Sequence, residues 1–148
     1  HHQQQKLKSI MITRAITNCF RFAKEKGWNR TYWAFDIHGT ILRSTFKKGV
    51  VSTEFYPDAK EVLQLLNERK DIVKILYTCS YPHEIEEYIT FFAKHGIHFD
   101  SINRNPEVTD GGYGYYQDKF YFNVLMDDKA GFDGETDWGE ILKLLKTI

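Results

Sequence analysis

Three short apolar runs in this chain each stop on a polar residue, and helical patterns separate them. The first, Thr31-Tyr32-Trp33-Ala34-Phe35, ends on Asp36; the second spans 72–79, with Thr78 near its close; the third, 120–126, is followed by Asp127-Asp128. Runs of this length, rich in β-branched and aromatic residues, read as buried strands. Between them Val62, Leu63, Leu65 and Leu66 follow Pro57, and Ile85, Tyr88, Ile89, Phe92 and Ala93 follow Pro82, a stretch closed by His95-Gly96. Proline at a first helical turn and glycine past a last one bound such helices. Strands alternating with helices predict an α/β, three-layer Rossmann-like fold: a mainly parallel central sheet with right-handed crossovers and helices on both faces. Ligands of these sheets bind at the carboxyl ends of the strands, so Asp36, Thr78 and Asp127 are expected along one edge.

The remaining segments fit around that frame. Ile12, Ala15, Ile16, Cys19, Phe20 and Ala23 recur at helical spacing over 10–26, before Gly27. Residues 41–56 carry two short stretches about Lys47-Lys48-Gly49 and predict a small hairpin. Residues 97–102 are a further strand candidate, and 138–146 a terminal helix with Ile141, Leu142, Leu144 and Leu145. Residues 103–118 lack an apolar period and hold Gly111, Gly112 and Gly114 among tyrosines, so they predict a long functional loop. The opening His1-His2-Gln3-Gln4-Gln5 reads as a polar tail over 1–9, of the kind a purification tag leaves, with a single domain over 10–148.

A chain of 148 residues with 42% hydrophobic and 16% aromatic content can build one ordinary core, which excludes intrinsic disorder. Twenty Lys+Arg against twenty Asp+Glu give no global field toward nucleic acid, which is not indicated as a partner, though a local patch stays open. No run approaches the ~20 apolar residues of a membrane span, so a membrane partner is not expected. Cys19 and Cys79 lack disulfide or zinc spacing and read as free thiols in a reducing cytoplasm, Cys79 as a partly buried structural residue. His83, His95 and His98 likewise lack ligand spacing.

Asp36, Asp127 and Asp128, with the Thr78 hydroxyl and Lys119 just before the last strand, form the set that carries chemistry. Carboxylates gathered at one point repel unless a cation lies between them, and hard oxygen ligands select Mg²⁺ over zinc. A hydroxyl, a lysine and the backbone amides of Gly39 and Thr40 suit a phosphoryl group. The residues alone therefore point to magnesium-assisted phosphoryl chemistry.

These residues also resemble the haloacid dehalogenase-like superfamily. Its phosphatases carry Asp-x-Asp-Gly-Thr at the end of the first core strand, and this chain has Asp36-Ile37-His38-Gly39-Thr40. A strand ending in Thr or Ser is matched by Ile75-Leu76-Tyr77-Thr78, the lysine by Lys119, and the acidic pair by Val124-Leu125-Met126-Asp127-Asp128. The resemblance covers about 31–146 and implies the family's fold without a large cap domain, because the motifs stand too close together to hold one. It implies Asp36 as nucleophile forming an aspartyl-phosphate, with Mg²⁺ held by Asp36, the His38 backbone carbonyl and Asp127, and with Asp128 as a more distant ligand or a brace for Lys119. Thr78 and Lys119 would bind the phosphoryl group, beside Gly39 and Thr40.

One position departs from the pattern: His38 stands where these phosphatases place their second Asp, which protonates the leaving group. An imidazole serves as a base near neutral pH but is a poor acid beside a divalent cation. The expected enzyme is slow on alkyl phosphates and faster on aryl or acyl phosphates. The rival expectations are a phospho-ligand-binding or protein-interaction module that has lost turnover, and a phosphotransferase. A site without a cap accepts a phosphorylated small molecule, a larger substrate, or a lid from another subunit of an oligomer. Tyr113, Tyr115 and Tyr116 either stack over the site or pack on their own domain. Specificity is expected from 41–56 and 103–118.

Overall fold

The computed structural model describes residues 2–47, 49–109, 114–116 and 118–148, with the backbone alone described over 2–10. Its elements are α1 (His2–Lys26), β1 (Thr31–Phe35), α2 (Ala59–Asn67), β2 (Ile72–Leu76), α3 (Pro82–Lys94), β3 (Ser101–Ile102), β4 (Val124–Met126), a single 3₁₀ turn (Asp128–Ala130) and α4 (Asp137–Leu145). The strands form one parallel sheet in the order β3-β2-β1-β4. The architecture is the expected Rossmann-like α/β fold. No helix among the described residues is long and apolar enough to cross a membrane.

Register decides which side chains share a face. Trp33 lies opposite Lys74 and Val124, and Phe35 opposite Leu76 and Met126, so these six point to one side of the sheet. That side carries the core. Phe20 of α1 meets Trp33 edge-on, Trp138 of α4 stacks on Phe35 at 6.2 Å, and Phe92 of α3 reaches Phe35 through Phe99. From the end of α2, Asn67 Oδ1 accepts the Lys74 ammonium at 2.6 Å. Contacts from all four helices thus reach the Trp33/Phe35 face. On the opposite face Tyr32 meets the Tyr121 ring at 6.0 Å, and its hydroxyl donates to Glu107.

The described part of the connection from β3 to β4 meets that opposite face as irregular chain, through Glu107 and Tyr121. Other boundaries move for local reasons. No glycine or proline interrupts 2–26, and Gln, Lys and Leu favour helix, so α1 runs back through residues read as a tail. Pro57 lies outside the first turn of α2, because Asp58 precedes it with a left-handed φ of 66°. The strand expected over 97–102 shrinks to two residues: the Ile97 amide donates to Phe92 O, which ties it to the end of α3. The strand expected over 120–126 begins at Val124, because the Asn123 side chain takes the Tyr32 amide at 2.8 Å in place of a backbone carbonyl. The hairpin over 41–56 is reduced to a Leu42–Phe55 bridge with two flanking backbone hydrogen bonds, Arg43 to Glu54 O and Tyr56 to Ile41 O. Lys48 of its turn lies outside the described residues.

Candidate functional site

The site grows from three strand ends laid side by side. The Asp36 amide donates to Met126 O at 2.9 Å and the Tyr77 amide to Phe35 O at 2.8 Å, so β4 and β2 are held against the end of β1. Asp36, Thr78 and Asp127 all lie just past those ends, as the alternation of elements predicts. Carboxylate oxygens of Asp36, Asp127 and Asp128 lie within 4.8 Å of one another. Burial pushes the Asp36 carboxyl up to about 7, helped by the negative charges of Asp127 and then Asp128. Among the described residues no lysine or arginine forms an ion pair with any of the three. An all-oxygen donor set of this kind could hold a hard divalent cation.

Thr40 ties the acids together. Its hydroxyl donates to Asp36 Oδ2 at 3.4 Å and accepts the Asp128 amide at 2.9 Å, while its carbonyl accepts the buried Trp138 indole N–H at 2.8 Å. The core thereby reaches directly to the carboxylates. Gly39 adopts φ 76°, and a Cβ there would lie 2.6 Å from Asp128 Oδ2, so both backbone and space require glycine. The amides of Gly39 and Thr40, expected to face a phosphoryl group, are already used by Leu42 O and Ile37 O. Gly39 and Thr40 therefore position Asp36 and Asp128 and do not present free donors. Asp127 accepts the Lys129 amide at 2.9 Å, which starts the 3₁₀ turn and fixes the acidic pair.

Thr78 is clamped at two points by Asn103, whose side chain accepts the Thr78 amide at 2.8 Å and donates to its carbonyl at 2.7 Å. The Thr78 hydroxyl is 2.9 Å from Ser80 Oγ and accepts the Ser80 amide at 3.2 Å. His38 Nε2 lies 2.5 Å from the hydroxyl of Tyr88, a buried residue of α3 that also accepts the Ser52 amide at 3.4 Å. Lys119 is not drawn into the acidic cluster. Its ammonium lies 5.8 Å from the centre of the Phe122 ring, and it lines a cavity with Asn103, Arg104 and Tyr116.

Of the loop tyrosines, Tyr116 packs edge-on against Tyr121 at 5.7 Å, Tyr115 is exposed, and Tyr113 lies outside the described residues. Cys79 is exposed, contrary to the partial burial expected: past Leu76 the ladder has ended, and nothing covers the position as a strand neighbour would. Asn103, Ser80 and Tyr88 escaped the sequence reading. Tyr88 was legible only as a helix-face aromatic, and Asn103, with a left-handed φ of 55°, looked like any loop residue.

No family model matches the chain, and no curated protein matches it. Among solved structures the chain is similar to a conserved protein from Bacteroides thetaiotaomicron, with a TM-score of 0.60 and 25% identity over 80% of this chain and 92% of that one.

Proposed function

We propose that the protein is a Mg²⁺-dependent phosphatase of the haloacid dehalogenase-like type that hydrolyses a phosphate ester or anhydride through Asp36. The observation that carries this reading is the convergence of Asp36, Asp127 and Asp128 within 4.8 Å at adjacent parallel strand ends, with Asp36 pushed toward neutrality by burial and by its acidic neighbours. Asp36, Asp127 and Asp128, with the His38 carbonyl, would hold the ion; when bound it keeps Asp36 ionised and offsets phosphoryl charge. An Asp36 carboxylate oxygen then attacks phosphorus, and the P–O bond to the leaving group breaks with its electron pair. Water attacks phosphorus in turn, which releases inorganic phosphate and returns the carboxylate. Thr78, held rigid by Asn103, binds a phosphoryl oxygen. Lys119, across the cavity it shares with Asn103, supplies the side-chain cation once it leaves Phe122.

His38 takes a role set by Tyr88. The Tyr88 hydroxyl lies 2.5 Å from His38 Nε2 and also accepts the Ser52 amide, so that ring nitrogen is engaged by α3. With Nε2 so held, the reading favours substrates whose leaving group needs no acid. The same arrangement supports a second reading, a phospho-ligand-binding module without turnover.

Mg²⁺-dependent phosphate release from an aryl and an acyl phosphate separates the two. Asp36→Asn is expected to lower turnover at least ~10³-fold and Lys119→Ala ~10²-fold, by analogy with lost nucleophiles and charge-stabilising groups elsewhere. Residual metal-dependent turnover in Asp36→Asn would place the nucleophile elsewhere. Absence of turnover in the wild type with Mg²⁺ binding retained would favour the module.

A further inference from the structure

Two grooves flank the Asp36 end, and they differ in chemistry. One is lined by Gly39, Tyr56, Asp128, Asp133 and Glu135, an acidic wall that repels an anionic substrate. The other, about 370 Å³, runs from His38 between the 44–50 turn and the start of α3. Its walls carry the rings of Phe46, Tyr81 and His83, with Lys47 and Glu84 as charged groups of opposite sign. Tyr81 and His83 stack with an interplanar angle of 12° and centroids 6.0 Å apart, and Tyr81 is 68% exposed. On the other wall Phe46 is 95% exposed, the most solvent-facing large apolar side chain described.

Phe46 is also held in a left-handed conformation, φ 56°, that bulky residues seldom adopt. The turn enforces it: Thr45 Oγ1 donates to Val50 O at 3.1 Å, and Ser44 Oγ accepts the Phe46 amide at 3.3 Å. Glycine would fit that backbone without strain and would not put a ring into water. The ring is therefore what this turn presents. His38, two residues past Asp36, lines the groove at one end and Tyr81, three residues past Thr78, lines its far wall, so the groove is built on the segments that follow the two strand ends.

The geometry points to a leaving-group subsite in which a planar aromatic ring of a small phosphorylated substrate lies between Phe46 and the Tyr81/His83 stack. This rests on the phosphatase reading of the Asp36 end and names its substrate class. Flat rings on both walls select a flat ring by offset and edge-on contact.

The test compares phenylphosphonate with methylphosphonate, neither hydrolysable, by calorimetry and by NMR of the His83 ring in the presence of Mg²⁺. Phenylphosphonate is expected to bind about tenfold tighter and to shift the His83 ring protons through its ring current. Phe46→Gly and Tyr81→Ala should each cut that preference about fivefold with methylphosphonate affinity unchanged. Phe46→Gly should at the same time raise the melting temperature, because it relieves the left-handed backbone, so lost affinity cannot be lost folding. Phe22→Ala, an exposed ring on α1, should change neither affinity. Equal affinity for the two probes, no binding of either, or a ring preference that survives both groove variants would overturn the subsite. Ring preference without turnover on any phosphate ester would overturn the phosphatase reading and leave the subsite standing; turnover without ring preference would do the reverse.

Discussion

Lys74, buried within β2, and Asp36, half-buried just past the end of the neighbouring β1, are ionisable groups that the protein treats in opposite ways. Lys74 is 3% exposed in the middle of β2, and burial pushes its ammonium down to about 8. It is nevertheless satisfied: Asn67 Oδ1 accepts from it at 2.6 Å and the Phe99 ring lies 5.7 Å away. Asp36 is pushed by burial the other way, but its carboxylate neighbours add to the penalty, and among the described residues no side-chain cation pairs with it. A buried charge completed by its own chain is a structural feature; one made worse by its own chain carries a cost that the fold itself does not offset.

Substituting each group tests that contrast, and Asp36→Asn should have the largest effect. It is expected to lose at least ~10³-fold in turnover yet gain about 1 kcal/mol of stability in metal-free buffer at pH 8, after allowance for solvent screening of a half-buried carboxyl. The readout of that gain is a melting temperature higher by about 3 °C. A lower melting temperature would mean that the acids brace the fold. Lys74 should respond in the opposite sense. Lys74→Ala removes the buried stem and is expected to cost about 2–3 kcal/mol in urea unfolding. Lys74→Met keeps the stem and should cost nothing or stabilise, since Asn67 Oδ1 retains the His98 amide at 2.9 Å. Equal losses in both variants would show that the ammonium itself holds the strand.

The smallest effect is in the slopes of stability against pH. Between about pH 4 and 7 the unfolded chain has released the Asp36 proton while the folded chain keeps it, so stability falls as pH rises. Between about pH 8 and 10 the folded chain has released the Lys74 proton while the unfolded chain keeps it, so stability rises. Melting temperatures in metal-free buffer should therefore pass through a minimum between the two windows. Asp36→Asn should flatten the acid limb, Lys74→Met the alkaline one, and saturating Mg²⁺ the acid limb alone. A minimum that survives both substitutions would assign it to other groups.

The same two positions show what a linear reading of this chain reaches. Asp36, Thr78 and Asp127 were legible because a parallel sheet places successive strand ends on one edge, and the strand runs declare themselves by β-branched and aromatic content. Lys74 stands in the sequence only as a charge inside the apolar run 72–79, since its partner Asn67 is set by how α2 packs. The Tyr88–His38 and Asn103–Thr78 contacts join residues 50 and 25 positions apart, and no local pattern encodes such pairs. Lys119 was legible only by its place before the last strand and by the resemblance; Asn123 delays that strand to Val124, so no strand alternation directs the lysine.

The two edge strands of the sheet have a consequence for the protein in crowded solution. β3 contributes two residues and β4 three, so each border offers at most a couple of unpaired amides and carbonyls to a passing extended chain. A foreign strand docking there would gain too few hydrogen bonds to offset its lost freedom. Such brief margins act as a guard against templated polymerisation, and they let an α/β sheet this small keep two free borders without inviting its neighbours to extend it.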